Sequence, residues 1–430
     1  MTLPLRRFVF WMHLVSGVVA GFVILLMSVT GVLLAYEKQI IRWADGLQGP
    51  PSAPGQARLP LEELVTRAQA AHPGVVPGAV TVRRDVNAPV EVNLGRAGSV
   101  FVHAYTGEVL GTGSASTRAF FRSVMEWHRW LAMKDAGRAV GKAITGVSNL
   151  IFLFIVISGF YLWWPRSWTW KQFRQVIWFR GGLSGKARDF NWHHVIGYWS
   201  LVPLGVIVWS GVVIGYPWAS DLTFRMVGEA PPRPPQGGPQ RPGERPEGPE
   251  GQRGPGPEAS TSTARTAEAG TAGAKEQTDA DRSPRETAGW DSRPYLTLAT
   301  LMERAAAQDG GWTILSARLP TPRDPMLQVT VDTGTGAQPQ KKGTLQLDRA
   351  TGATRKWEPF EAQSAGRQWR AWMRFVHTGE YYGLVGQTIA MLVTAGSVVL
   401  VWTGLALTWR RFRAWRGRAA APRKANAAAA

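Results

Sequence analysis

Four long apolar runs separate polar stretches along this chain, and that alternation predicts its architecture. The runs cover residues 8–36, 144–164, 191–218 and 384–409. Each supplies about the 20 residues that an α-helix, rising 1.5 Å per residue, needs to cross a hydrocarbon core. The third run, between Trp192 and Trp218, is bracketed by aromatic side chains of the kind that settle at a membrane–water boundary. The first run follows Arg6 and Arg7. Its core is about twice the ~7–15 residues of a signal peptide and it lacks a small-x-small cleavage site, so it predicts a retained helix.

The hydrophobic period changes between the runs. In residues 37–120, Leu61, Leu64, Val65 and Ala68 share one helical face within a helix expected over 59–71. Short alternating stretches at 79–83, 90–94 and 100–104 read as strands, followed by the turn Tyr105-Thr106-Gly107-Glu108 and by Val109-Leu110. Residues 293–362 repeat this order: a helix at 296–308, strands near 313–318, 326–331 and 343–348, and a turn from Asp348 to Gly352. Each segment predicts a helix followed by a small antiparallel sheet. Residues 121–164 and 363–409 each read as a polar approach leading into a membrane helix. Residues 229–292 are Pro, Gly, Arg, Glu, Ser, Thr and Ala with almost no large apolar side chain. Such a segment buries too little surface to offset its chain entropy and predicts a disordered insert.

Charge orients this arrangement. The loop 165–190 carries Arg166, Lys171, Arg174, Arg180, Lys186 and Arg188 against Asp189, and the tail 410–430 opens with Arg410, Arg411, Arg413, Arg416 and Arg418. Positive charge beside spans marks the cytoplasmic side and favours contact with membrane lipid, so both termini are expected in the cytoplasm and the two modules outside. The formal net charge of +19 is accounted for in this way. No basic face interleaved with stacking aromatics predicts nucleic-acid binding. Most of the 21 Trp cluster at the ends of the apolar runs. The sequence has no Cys, which excludes disulfides, thiolate metal sites, Cys-ligated iron–sulfur clusters and CxxCH haem attachment.

The two halves of the sequence match. Aligning His13 with His193 places Gly17 on Gly197 and Gly31 on Gly211. The second and fourth runs are each preceded by a histidine, His128 or His377, and contain a late pair, Ser158-Gly159 or Thr403-Gly404. The first and third helices run the same way, so the repeat is parallel. His13 and His193 fall near the cytoplasmic ends of their helices, and His128 and His377 fall on the external approaches. Ionisable side chains at such places are costly and mark function. One pair at each membrane face suggests two bis-His b-type haems, because this cofactor asks for two neutral imidazoles from facing helices and an apolar slot between them. Gly17 and Gly197 lie four residues beyond His13 and His193, on the same helix face, where a macrocycle would clear a missing side chain. His194 points about 100° from His193 and is an alternative ligand, a hydrogen-bond partner for the cofactor, or an interface residue. Zinc or copper is a rival occupant, although no carboxylate or Met stands at ligand spacing near His13 or His193. Glu126 and Glu380 leave that possibility open on the outer side. His72 and His103 read as ordinary surface or turn residues. Arg6, Arg7 and Arg188 on the inner side, and Arg129 and Arg374 on the outer, are candidate partners for haem carboxylates. The fold class expected from these observations is a membrane α-helical protein: a four-transmembrane-helix bundle, two external α+β modules and an internal parallel repeat.

Four helices with a histidine at each approach, late Ser/Thr-Gly pairs and helix-plus-sheet modules with a Thr-Gly turn resemble the PepSY-associated transmembrane family. Within it the chain is most similar to the FoxB-like siderophore-iron reductases, also described as iron-regulated inner-membrane proteins. The resemblance covers nearly the whole chain outside the 229–292 insert and the Ala-rich tail. It implies PepSY-like periplasmic modules, two haem b groups in a bacterial inner-membrane bundle, and outward electron transfer that reduces ferric siderophores. Matched by position to the family's helix-entry histidines, His13, His193, His128 and His377 are implied as axial ligands to haem iron. No GxGxxG follows a strand and no cytoplasmic domain of any size is present in the sequence, so the electron donor is expected to be a separate cytoplasmic protein or a membrane quinol. Three other functions stand beside this one: a regulatory or binding protein acting on a periplasmic protease, a general transmembrane electron-transfer subunit, and a siderophore or metal transporter. The paired histidines argue against the regulator. Four helices with uncharged centres argue against the transporter.

Overall fold

The structure is a computed structural model that describes residues 3–46, 56–164, 169–232, 295–321 and 324–420. The expected insert therefore lies outside the described residues from 233 onward, as does the tail beyond 420.

Among the described residues four helices are long and apolar enough to cross a membrane, and they coincide with the four apolar runs. They are α1 (Leu3–Leu34), α5 (Gly137–Trp163), α7 (Gly185–Gly215) and α11 (Gly383–Ala420). α1 packs on α5 and α11, and α7 packs on the same two helices, so α1 and α7 face each other across the bundle. Close approach depends on small and hydroxylated residues, as suits helices that gain little from hydrophobic burial in lipid. Ser397 donates to Ser28 at 2.7 Å between α11 and α1. Asn149 of α5 donates to the Val208 carbonyl of α7 at 3.1 Å. Both long excursions, 35–136 and 216–382, leave the same end of the bundle, the sheet end, and the 164–184 connection closes the other, the loop end.

Shorter helices, not distinguished in the sequence reading, decorate both ends. They are α2 (Glu37–Asp45), α4 (Ala115–Trp130), α6 (Trp170–Ile177), α8 (Pro217–Met226) and α10 (Ala365–His377). α4 and α10 occupy the stretches read only as polar approaches. Each starts at a serine N-cap, Ser114 or Ser364, whose oxygen accepts from a backbone N–H in the first turn. Their polar faces conceal them from an apolar-run criterion. The expected loop at 165–190 is likewise part helix, and α7 begins at Gly185, two turns before the apolar run.

The largest revision concerns the two modules. Helix α3 (Leu61–Ala70) and strands β1 (Ala79–Arg83), β2 (Val90–Asn93), β3 (Ser99–Val102) and β4 (Val109–Gly111) form where the periodicity places them. So do α9 (Leu298–Gln308), β5 (Ile314–Arg318), β6 (Met326–Asp332) and β7 (Lys342–Asp348), joined by an unexpected β8 (Thr354–Pro359). The strands do not make two sheets. They make one antiparallel eight-stranded sheet in the order β4-β3-β2-β1-β5-β6-β7-β8. β1 pairs β5 through five residues, from Ala79 opposite Arg318 to Arg83 opposite Ile314. Each module alone would expose a strand edge with unpaired backbone groups, and joining the edges satisfies both. α3 and α9 cover one face of the sheet, burying Val80, Val92, Val100, Leu315, Val329, Leu345 and their neighbours. The carboxylate of Glu62 on α3 accepts from the Leu298 and Ala299 N–H groups at the start of α9, so a side chain of the first module caps a helix of the second.

Candidate functional site

The four histidines matched by the repeat end up in four copies of one local geometry. On α1, Nδ1 of His13 lies 2.9 Å from Oγ of Ser158 on α5. On α4, Nδ1 of His128 lies 3.0 Å from Oγ1 of Thr30 on α1. On α7, Nδ1 of His193 lies 3.0 Å from Oγ1 of Thr403 on α11. On α10, Nδ1 of His377 lies 3.1 Å from Oγ of Ser210 on α7. Each hydroxyl belongs to a Ser/Thr-Gly pair, and the glycine lets the ring lie against the helix. A Cβ at Gly159, Gly31, Gly404 or Gly211 would stand 3.4, 3.5, 3.5 or 3.3 Å from the Cε1 of His13, His128, His193 or His377 respectively. The repeat displays these pairs in the sequence. Their role was not readable there, because each hydroxyl serves a histidine on a different helix.

The seats set the histidines facing one another across the bundle. At the sheet end the rings of His128 and His377 have centres 6.3 Å apart and planes inclined at 61°. At the loop end His13 and His193 stand on α1 and α7, the two helices that face each other across the bundle. Each half of the repeat thus seats its own two histidines, and each facing pair draws one histidine from each half.

Tight backbone contacts hold α4 and α10 in place. The Thr145 hydroxyl of α5 donates to the Arg129 carbonyl at 2.8 Å, and a side chain at Gly141 would overlap the Trp130 carbonyl. The turn after α4 contains Leu131, Ala132 and Asp135, all at positive φ. At the end of α10, Gly379 at φ +75° brings its backbone onto that of Gly386 in α11. A side chain at either glycine would collide, and the left-handed conformation at Gly379 favours glycine in any case. Desolvation, and next the neighbouring His377 ring, hold His128 down at a pKa of about 4. Desolvation also lowers His377. Both are therefore neutral imidazoles at physiological pH, the form that binds a metal.

The remaining predicted residues fall as follows. An added Cβ at Gly17 would meet nothing within 4 Å, which leaves open space one turn from His13. At Gly197 it would stand 3.7 Å from Leu400. His194 has no hydroxyl–glycine seat: its Nδ1 lies 2.9 Å from the Phe190 carbonyl of its own helix, and its ring lies against Phe190. Arg6 donates to the Leu162 carbonyl, and Arg188 pairs with the buried Asp189, which also binds Arg410. Arg129 and Arg374 lie over the rings of Trp130 and Phe375. Glu380 pairs with Lys38 at 2.7 Å. His103 is buried in a turn, its Nδ1 beside the Thr106 hydroxyl and N–H.

The donor set can be compared with the expected cofactor. Among the described residues no group of three His, Asp or Glu could surround a metal ion. A bare divalent ion asks the protein for three or four ligands. Haem brings four nitrogens of its own and asks for two axial ligands. Two imidazoles without a third protein donor at the sheet end suit a group that brings nitrogens of its own better than a bare ion.

Comparison with known proteins agrees with this architecture over almost the whole chain: the family described as the PepSY-associated TM region matches residues 10–411. No curated protein matches the chain.

Proposed function

The chain belongs to the PepSY-associated TM family, and on that premise we propose that this multi-pass membrane protein is a di-haem b reductase. In this reading it sits in a bacterial inner membrane and carries electrons from the cytoplasmic side to a periplasmic ferric siderophore. The observation that carries the proposal is the fourfold hydroxyl–glycine seat, which presents His13 with His193 at one end of the bundle and His128 with His377 at the other.

Haem b, when bound, supplies a one-electron Fe3+/Fe2+ couple. The protein's part is to hold and insulate it. His13 and His193 would ligate one haem and His128 and His377 the other. The surrounding α1, α5, α7 and α11 exclude water, and the sheet rises on the side where the acceptor is expected. Adding one electron to a siderophore-bound Fe3+ weakens its attachment to hard oxygen donors and frees the metal. The donor is a separate cytoplasmic protein or a membrane quinol.

The test begins with the visible spectrum of protein purified from haem-replete cells. Two b-type haems per chain are expected, and a colourless preparation overturns the proposal. His13→Ala and His193→Ala should each remove the same haem, and His128→Ala and His377→Ala the other. In inverted vesicles, whose lumen is the periplasmic side, the reduced wild type should convert a ferric siderophore enclosed in the lumen to ferrous iron, and the variant lacking all four histidines should not. Haem-loaded protein that reduces only other acceptors would make the chain a general electron-transfer subunit.

A further inference from the structure

We propose that Ser158, Thr403, Thr30 and Ser210 are positioning residues, whose hydroxyls fix the tautomer and the aim of the four histidines. This rests on the haem reading above and adds a role for residues outside the ligand set. It begins from counting protons. A hydroxyl has one hydrogen to give and two lone pairs. In each seat the hydroxyl already points that hydrogen at a carbonyl one turn back in its own helix: Ser158 at Ile155, 3.2 Å; Thr403 at Val399, 2.8 Å; Thr30 at Leu26, 2.7 Å; Ser210 at Ile207, 2.7 Å. This is the usual arrangement for Ser and Thr inside helices, most of all where no water competes. With its hydrogen committed, the oxygen can only accept from the imidazole, so Nδ1 carries the proton. His377 decides the matter independently. Its Nδ1 also lies 2.9 Å from the Ile207 carbonyl, an atom that cannot donate.

A proton on Nδ1 leaves Nε2 of a neutral imidazole with a free electron pair, the form required of a ligand. The hydroxyl thus does for each histidine what a carboxylate or carbonyl does behind many metal-bound imidazoles: it selects the nitrogen, fixes the ring's rotation and strengthens its donation. A Cβ on the glycine one residue on would crowd Cε1 of His377 at Gly211, and would only touch Cε1 at the other three seats. Each facing pair combines one serine and one threonine seat, Ser158 with Thr403 and Thr30 with Ser210, so hydroxyl chemistry is shared where side-chain bulk is not.

The experiment uses full-length protein in detergent and compares Ser158→Ala, Ser158→Thr, Thr30→Ala and Thr30→Ser. Haem affinity is read by transfer to apomyoglobin, and ligand geometry by the electron paramagnetic resonance of each oxidised haem, assigned with His13→Ala and His128→Ala. Ser158→Ala should weaken the haem of the His13–His193 site about ten- to a hundredfold and shift its resonance, leaving the other haem untouched. Thr30→Ala should do the reverse. The hydroxyl-preserving variants should behave as wild type. Alanine variants that keep wild-type affinity and resonance at both sites overturn the proposal, as do threonine and serine variants that lose as much as alanine. A wild type without haem refutes the functional reading instead. Should one alanine variant fail to fold, its counterpart at the other end of the bundle decides the question.

Discussion

At the scale of single residues the site depends on what is missing as much as on what is present. Gly211 is the tightest seat, because a Cβ there would stand 3.0 Å from the Asn149 amide nitrogen as well as 3.3 Å from His377. Gly211→Ala is therefore expected to lower haem content from two per chain to one, measured as the pyridine haemochrome. The sheet-end histidines also make a pH prediction. Their folded-state pKa values lie below the ordinary histidine value, so the unfolded chain binds more protons than the folded one as pH falls below about 6.5. Stability rises with pH wherever the unfolded state holds the extra protons. The haem-free protein should therefore be most stable above about pH 6.5 and lose stability down to about pH 4. His128→Gln should flatten the fall of melting temperature over that window. The four histidines and their glycines could be read from the sequence because the repeat marks them. The hydroxyl contacts could not, since sequence spacing says nothing about which helix lies opposite.

Among the elements, α4 and α10 matter most and were hardest to foresee. They are amphipathic and rich in arginine, and each delivers one histidine of the sheet-end pair. α4 is tied to α2 by Asp45, whose two oxygens each take a hydrogen bond of 2.7 Å from Arg118, with the Ser114 N–H adding a third at 2.9 Å. Asp45 is nearly buried, with 8% of its side chain exposed, so its charge is poorly screened. Removing it loses charge-assisted bonds worth about 1.5–3 kcal/mol and loosens the start of the helix that ends near His128. Asp45→Ala should speed hydrogen exchange across residues 115–130 and lower stability by about 2 kcal/mol, with α7 and α11 exchanging as before. The serine N-caps were the available signal for both helices, but a cap without an apolar run behind it does not distinguish a short amphipathic helix from a turn.

For the whole molecule, the strands of both modules share one sheet, and that continuity couples them. The β1–β5 ladder and the Glu62 cap on α9 bind the halves together, so they should unfold as a unit. Glu62→Ala is expected to lower protection in β1–β3 and β5–β7 alike by hydrogen exchange. Loss confined to α9 and its own strands would show that the modules are independent. The sequence by itself determined the four long apolar helices, the two helix-plus-strand segments and the positions of the four histidines along them. These follow from periodicity and from the energetic cost of polar groups in lipid, which act on local stretches of chain. The tertiary structure decided what pairs with what: β1 with β5, each histidine with a hydroxyl on another helix, and His128 with His377 at the sheet end. Such pairings bring together residues distant in the chain, as Thr81 and Ser316 across 235 positions. They are chosen by complementary edges and close helix packing that exist only once the chain has folded.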